Sequence, residues 1–171
     1  MWETIAAEAA AQSQLWAESL LPEAERLREP VFSPLAPAGH ALGLETIYEG
    51  YLVHYGNARL FSPDDSETAL LLGDYLYAHG LVRVAATGDV AAVADLSELI
   101  SLCSQARAEG RNGDGSAWAA TAALLGAGDL SLARDALRLR SDSSLLEASA
   151  RSTAGDAPVD RALAAHARLV G

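Results

Sequence analysis

Carboxylates near the middle of the chain are the first side chains that could do chemistry. Asp64, Asp65 and Glu67 have the spacing of a small carboxylate cluster, and carboxylate oxygens are the ligands that Mg²⁺ prefers in proteins. The cluster directly follows Ser62 and Pro63, which are typical of the start of a helix. Because negative charge in the first turn of a helix is stabilising without a metal, we interpret the cluster as a helix start.

Serine, histidine and cysteine side chains give no arrangement typical of a nucleophilic enzyme. His54 and His79 could be paired with Ser62 or Ser66, but no spacing supports such a pair. Cys103 is the sole cysteine, so the sequence indicates neither a disulfide framework nor a cysteine metal cluster. All twelve basic residues are arginine, so no lysine amine is available to bind phosphate as a point charge or to form a Schiff base.

A single acidic residue, Asp74, interrupts an otherwise apolar run at 70–81. A carboxylate in an apolar environment must find a hydrogen-bond donor or give up its charge. We therefore predict that Asp74 is buried between neighbouring helices and accepts a hydrogen bond from a tyrosine, histidine or arginine.

The elements that carry these residues are helical in the pattern of the sequence. Apolar residues recur at intervals of three and four, and no stretch alternates with period two for long enough to form a strand. The pattern predicts one all-α domain, a bundle of about seven helices over residues 1–171. The predicted helices cover residues 3–20, 41–58, 63–87, 90–109, 116–125, 130–139 and 157–170, with a weak helical turn at 145–151.

The helix at 63–87 is apolar on most of its circumference, which predicts a place in the middle of the bundle. Gly88 is expected to end this helix and Asp89 to cap the next. A proline-containing connector at 30–39 carries the apolar residues Val31 and Phe32, so we predict that it packs on the core.

Composition argues against several classes of function. The formal net charge of −11 argues against nucleic acid as a partner, because phosphate binding needs a basic face. No uncharged run approaches the roughly eighteen residues of a membrane span. The first residues, Met1-Trp2-Glu3, lack the basic region of a signal peptide. The resulting expectation is a cytoplasmic protein.

The run Leu-Leu-Gly-Asp-Tyr-Leu-Tyr-Ala-His-Gly-Leu at 71–81 continues with Ala-Ala-Thr-Gly-Asp at 85–89 and with a helix that ends at Glu109. This order of sequence motifs resembles the central helix pair of trans-polyprenyl diphosphate synthases. The resemblance covers about residues 20–126, leaves 127–171 as an unassigned helical tail, and implies a truncated isoprenoid synthase fold.

In that family a histidine precedes an Asp-Asp-x-x-Asp motif, which binds Mg²⁺ and the allylic diphosphate. The resemblance places the histidine at His54, while the three aspartate positions hold Tyr55, Gly56 and Arg59. None of these three supplies a carboxylate, and the arginine would repel a cation. The resemblance therefore implies that the metal site is lost.

The family also has a Lys-Thr pair that binds diphosphate. The corresponding positions are Ala120 and Thr121, so the lysine is missing here. We expect no metal, no cofactor and no catalytic residue in this chain, and no prenyl transfer by the chain alone.

The first expectation for function is therefore a non-catalytic subunit, most like the small subunit of two-component heptaprenyl-type synthases. Such a subunit pairs with a catalytic prenyl diphosphate synthase in isoprenoid biosynthesis. One alternative is a helical module that binds an apolar ligand or another protein, unrelated to prenyl transfer. Another is an active prenyltransferase whose site is not recognised.

The predicted helix pair at 63–87 and 90–109 has more apolar surface than a bundle of this size covers, and the resembling family buries the matching pair in a dimer interface. We predict that one side docks on a catalytic synthase, or on a second copy of the chain when that partner is absent. The candidate interface residues are Leu76, Val84, Leu96 and Ile100.

Overall fold

Nine α-helices and three short 3-10 turns make up most of the described chain, residues 1–170 of this computed structural model. The α-helices are α1 (Trp2–Gln12), α2 (Gln14–Glu18), α3 (Ala41–Tyr55), α4 (Ser66–Ala85), α5 (Val90–Ala108), α6 (Asp114–Ala123), α7 (Ser131–Arg140), α8 (Ser144–Ala154) and α9 (Asp156–Val170). Residues 1–170 contain no strand, only an isolated bridge between Leu20 and Phe61. The predicted all-α class is confirmed, and the bundle has more helices than the seven expected because 3–20 is split and α8 is a full helix.

The central helix is α3 rather than α4. Every residue from Gly43 to Leu52 is buried, although this stretch includes Glu45 and Glu49. The prediction that 63–87 lies in the middle of the bundle is therefore wrong, because one side of α4 faces solvent. The stretch in α3 can be buried all round because its two carboxylates find partners inside the protein, as described below.

Glycine pairs bring α3 and α4 into close contact. A Cβ atom at Gly50 would lie 2.8 Å from the carbonyl oxygen of Gly73, and one at Gly80 would lie 2.8 Å from that of Gly43. The pairs Gly43–Gly80 and Gly50–Gly73 lie two turns apart on each helix, as antiparallel packing requires. Only glycine leaves room for the two backbones to approach this closely.

The core consists of two clusters. The main cluster lies between α3, α5, α6, α8 and α9, and its centre is filled by four aromatic side chains: Phe32, Tyr48, Tyr51 and Trp118. Phe32 and its neighbour Val31 are buried, as predicted for the connector. The second cluster lies beneath α1 and contains Ile5, Ala9, Leu60, Phe61, Leu72 and Leu76.

Helix ends follow local signals, with two differences from the sequence prediction. Asp65, rather than Ser62, caps α4, because its carboxylate accepts a hydrogen bond of 2.8 Å from the backbone N–H of Thr68. Ser13 is extended and divides the predicted helix 3–20 into α1 and α2. Asp89 caps α5 as predicted. No helix within residues 1–170 combines the length and apolar character needed to cross a bilayer.

Candidate functional site

The C-terminal turn of α3 carries His54, the histidine of the resembling motif. Its Nε2 lies 3.3 Å from Oδ1 of Asp74 on α4, and Gly73 leaves the space that the imidazole ring occupies. Burial lowers the pKa of His54, and the charge of Asp74 opposes that effect. The predicted burial of Asp74 is wrong, since its side chain is 66% exposed, but its neighbour is a histidine, one of the predicted partners. The reason is geometric: Asp74 lies at the edge of the contact between α3 and α4, with His54 on one side and water on the other.

We expect Asp74→Ala to lower the free energy of unfolding by less than about 1 kcal/mol, because exposed ion pairs contribute little. Urea titration followed by circular dichroism measures the change. Asp160→Ala is the matched control, since Asp160 is also an exposed carboxylate paired with a basic residue, Arg151. A loss well above that of the control would show that Asp74 is not solvated.

Gly56, at the second aspartate position of the resembling motif, borders an open cleft. Gly56 and Asn57 line it at the end of α3, and Asp64 and Asp65 line it at the start of α4; its volume is about 500 Å³. Asp65 already serves as the cap of α4. No group of three or more His, Cys, Asp or Glu side chains within residues 1–170 is arranged to hold a metal ion. Tyr55 is half-buried against the main cluster.

Arg59 occupies the last aspartate position of the motif and is one of the most deeply buried side chains, at 1% exposure. Its Nη1 donates to Glu45 Oε2 at 2.7 Å and its Nε donates to Glu49 Oε2 at 2.9 Å. The second oxygen of Glu45 accepts the backbone N–H of Val31 at 3.1 Å, and that of Glu49 accepts the backbone N–H of Leu60 at 2.7 Å. This triad therefore fastens the connector and the segment after α3 onto the central helix.

The electrostatics of the triad reflect burial and mutual pairing. Burial raises the pKa of Glu49, while the charge of Arg59 and the N–H of Leu60 oppose the rise. Burial works to lower the pKa of Arg59, but the charges of Glu45 and Glu49 outweigh it and raise that pKa. Arg59 thus has a structural role that the resemblance, which treats the position as a lost metal ligand, did not indicate.

A second buried polar network joins α3, α5, α6 and α9 around Asp114. Oδ2 of Asp114 accepts a hydrogen bond from the hydroxyl of Tyr51 and one of 2.6 Å from Nη2 of Arg107, and it lies 3.2 Å from Nε2 of His166. Nδ1 of His166 lies 2.9 Å from the hydroxyl of Tyr48. The network therefore connects four helices through one carboxylate.

Sequence reasoning missed this network because Asp114 sits in a Gly-Asp-Gly stretch that is typical of an exposed loop. The one local signal is Gly115, where a Cβ atom would lie 2.9 Å from the ring of His166. A glycine directly after an acid, at the start of an alanine-rich helix, indicates close packing there as well as a turn.

The pKa shifts within the network follow from burial and from its hydrogen bonds. Burial raises the pKa values of Tyr48 and Tyr51, which keeps both hydroxyls neutral. Burial works to raise the pKa of Asp114, but hydrogen bonds from His166 and Tyr51 outweigh it and hold that pKa well below its usual range. Asp114 and His166 are both buried as residues, so a substrate cannot reach them without rearrangement of the core.

The positions that resemble the diphosphate-binding pair also lie inside the protein. Ala120 and Thr121 are both buried in α6, and the hydroxyl of Thr121 lies 3.5 Å from Nη2 of Arg134. Arg134 in turn pairs with Asp95 at 3.1 Å. These residues connect α5, α6 and α7.

Three of the four predicted interface residues belong to the core of the chain itself. Leu76 lies beneath α1, Val84 fills the space beside Gly43, and Leu96 is part of the main cluster. Ile100 is partly buried against that cluster. Their assignment to the interface is wrong for Leu76, Val84 and Leu96, because helical spacing does not reveal which apolar side of a helix its own chain covers.

The solvent-facing side of α4 is nevertheless largely apolar. Leu71, Ala78, Val82 and Ala85 are exposed in a row along it, and Asp74 is the charged residue among them. Leu71 is 57% exposed and Val82 is 64% exposed. We call this surface of five residues the α4 stripe.

Comparisons of the chain with models of protein families, with curated proteins and with solved structures give no match. Fold and site therefore rest on the residues and their geometry.

Proposed function

We propose that this chain is a non-catalytic helical subunit that binds another helical protein through the α4 stripe. The partner proposed from the resemblance is a catalytic prenyl diphosphate synthase. The observation that carries the proposal is the stripe itself, whose apolar side chains are exposed on a long helix. Apolar surface collected on one face, rather than scattered, is typical of an interaction site.

The spacing within the stripe fits a helix as the partner. Leu71, Ala78 and Ala85 repeat every seven residues, which is the spacing of a seam between two packed helices. Alanine at two of the three positions lets a second backbone approach closely. Val82 adds a larger apolar side chain on the same face.

The residues at the positions of the two synthase motifs support a role without catalysis. Arg59, in the last aspartate position, is already paired with Glu45 and Glu49 in the core. Ala120 and Thr121 are buried and offer nothing to a diphosphate in solvent. The proposed subunit would therefore contribute binding surface rather than metal or diphosphate ligands.

Val82→Arg should weaken the complex at least about 100-fold while leaving the fold intact, because an unpaired charge is costly in a contact but not in water. Light scattering of the chain, alone and mixed with a full-length synthase from the same host, measures the associated mass. Leu132→Arg on α7 is the matched control, since Leu132 is 80% exposed outside the stripe. Circular dichroism verifies that both variants are folded.

A wild-type chain that stays monomeric both alone and with the synthase would contradict the proposal. Loss of synthase binding in Leu132→Arg but not in Val82→Arg would contradict the α4 stripe as the contact surface. Absence of synthase binding in the wild type would favour the alternative of a module for an apolar ligand or another protein. A specific feature supports that alternative: a cleft of about 570 Å³ between α7 and α8, lined by Leu124, Leu132, Ala133 and Leu145 among others.

A further inference from the structure

The N-terminal helix α1 rests on a surface that is separate from the main core. Ile5 and Ala9 of α1 pack against Leu72 and Leu76 of α4 and against Phe61, and none of these residues belongs to the main cluster. Removal of α1 would uncover the second cluster, and it would also uncover Arg59, whose guanidinium carbon lies 4.6 Å from the centre of the Trp2 ring. We call the surface beneath α1 the α1 groove; it is formed by Leu60, Phe61, Leu72, Leu76, His79 and Arg83.

The contacts of α1 have the pattern of a helix bound in a groove. Ile5 and Ala9 are fully buried, one turn apart, and supply the apolar anchors. Between them Glu8 projects its carboxylate to an imidazole and a guanidinium of α4: Oε2 lies 2.7 Å from Nε2 of His79 and also accepts a hydrogen bond from Arg83. The groove thus holds the branched side chain of Ile5, the small one of Ala9 and the acid of Glu8 at fixed spacing.

Two polar groups at the rim of the groove lack hydrogen-bond partners. Trp16 of α2 stacks on Tyr75 of α4 with 4.1 Å between ring centroids, yet the indole N–H and the tyrosine hydroxyl are both buried without a hydrogen-bond partner. A buried polar group without a partner loses the hydrogen bonds it would make to water. Opening of this contact restores them.

A natural hinge separates α1 and α2 from the rest. After α2, the backbone is fastened to the segment that follows α3: the N–H of Ser62 donates to the carbonyl of Ser19 at 2.7 Å, and that of Leu21 donates to the carbonyl of Leu60 at 2.9 Å. Residues 2–18 precede these bonds. They can leave the groove while the backbone bonds at Ser19 and Leu21 remain, at the cost of the contacts of Trp2 with Arg59 and of Glu3 with Arg26 and Arg28.

From the separate cluster, the paired acid, the unsatisfied rim and the hinge, we infer that the α1 groove is a helix-binding site. In this structure the chain's own α1 occupies it. The same segment of a second copy binds there when the resident helix opens, so the groove exchanges N-terminal helices between copies. This inference is independent of the proposed function, which uses a different, exposed side of α4.

Hydrogen exchange on the wild-type chain tests whether α1 opens by itself. The amides of α1 should exchange at least about 100-fold faster than those of Gly43–Leu52 in α3, because local opening exposes them without global unfolding. Equal protection in the two helices would overturn the inference, since α1 would then open only when the whole chain unfolds.

Binding in trans tests the groove directly. A fluorescent peptide of residues 1–18 is titrated against the full chain carrying Ile5→Asp, which weakens the resident helix, and against the wild-type chain. Fluorescence anisotropy should show at least about tenfold tighter binding to Ile5→Asp, because the wild-type helix competes for the groove. Loss of cooperative core unfolding in Ile5→Asp, or absence of peptide binding, would overturn the inference.

An exchange of charges between the peptide and the chain tests whether the peptide binds in the α1 groove. A peptide with Glu8→Arg should bind the Ile5→Asp chain at least about tenfold more weakly than the wild-type peptide, since it places a cation beside His79 and Arg83. Addition of Arg83→Glu to the Ile5→Asp chain should recover binding of the altered peptide. Equal binding of both peptides to both chains would show that they bind elsewhere.

Discussion

Replacement of Arg59 by methionine should lower the free energy of unfolding by about 3–5 kcal/mol at neutral pH. The change leaves Glu45 and Glu49 together in the core without a cation, and both side chains are fully buried. Such a loss is a large part of the roughly 5–15 kcal/mol that stabilises a typical domain. Urea titration followed by circular dichroism measures it.

The stability lost in Arg59→Met should depend on pH. Burial already raises the pKa of Glu49 with Arg59 in place, and loss of the cation raises it further. A carboxyl group whose folded pKa is raised contributes stability below its unfolded pKa and loses that contribution as pH rises through the folded value. The Arg59→Met variant should therefore become less stable as pH rises above the ordinary glutamate range, and recover part of its stability as pH falls.

The matched control replaces the whole triad, with Glu45→Gln and Glu49→Gln added to Arg59→Met. This variant has no buried charge at the site, so it should regain part of the lost stability and show no pH dependence from the triad. A cost of less than about 1 kcal/mol for Arg59→Met alone would contradict a buried triad.

Asp114→Ala should cost about 3 kcal/mol, because it leaves Tyr51, Arg107 and His166 without the carboxylate that they share. Asp156→Ala is the matched control. Asp156 is likewise the first residue of its helix, α9, but it is exposed, so the two variants lose similar helix-dipole stabilisation and differ in the network. Chemical denaturation of both variants and the wild type gives the difference.

The pKa of Asp114 is shifted in the opposite direction to that of Glu49, yet here too the deficit of the variant should shrink as pH falls, because Asp114 acts in the wild type and Glu49 in the variant. Hydrogen bonds from His166 and Tyr51 outweigh burial and hold the pKa of Asp114 below its usual range. A depressed pKa contributes stability above the unfolded value, so the wild type should lose its advantage over Asp114→Ala as pH falls below about 4. A difference that stays constant down to about pH 2 would contradict the network.

The class of fold and most helix boundaries could be predicted because their causes are local. Helical spacing, the cap at Asp89 and the glycine at Gly88 each act over a few residues, and all appear in the structure as expected. The central helix could not be predicted. Glu45 and Glu49 resemble surface residues in the sequence, and only their pairing with Arg59 shows why α3 is buried.

The buried network around Asp114 could not be predicted, because its members are distant in sequence. His166 lies 52 residues from Asp114, and Tyr51 lies 63 residues from it, so no local pattern announces their contact. The prediction that Asp74 is buried is wrong for the opposite reason. Its neighbours in the sequence are apolar, but the side of α4 on which it lies is not covered. Which side a bundle covers depends on tertiary packing, which periodicity alone does not give.

The glycine pairs between α3 and α4 also bear on the order in which the chain folds. The two helices are consecutive and joined by the short segment 56–65, so little loop entropy is lost when they meet. Gly50 and Gly80 permit close contact in one register, because a slide by one residue would set a side chain against a carbonyl oxygen. We therefore expect the α3–α4 pair to form early in folding and α9, which brings His166 to Asp114, to dock later.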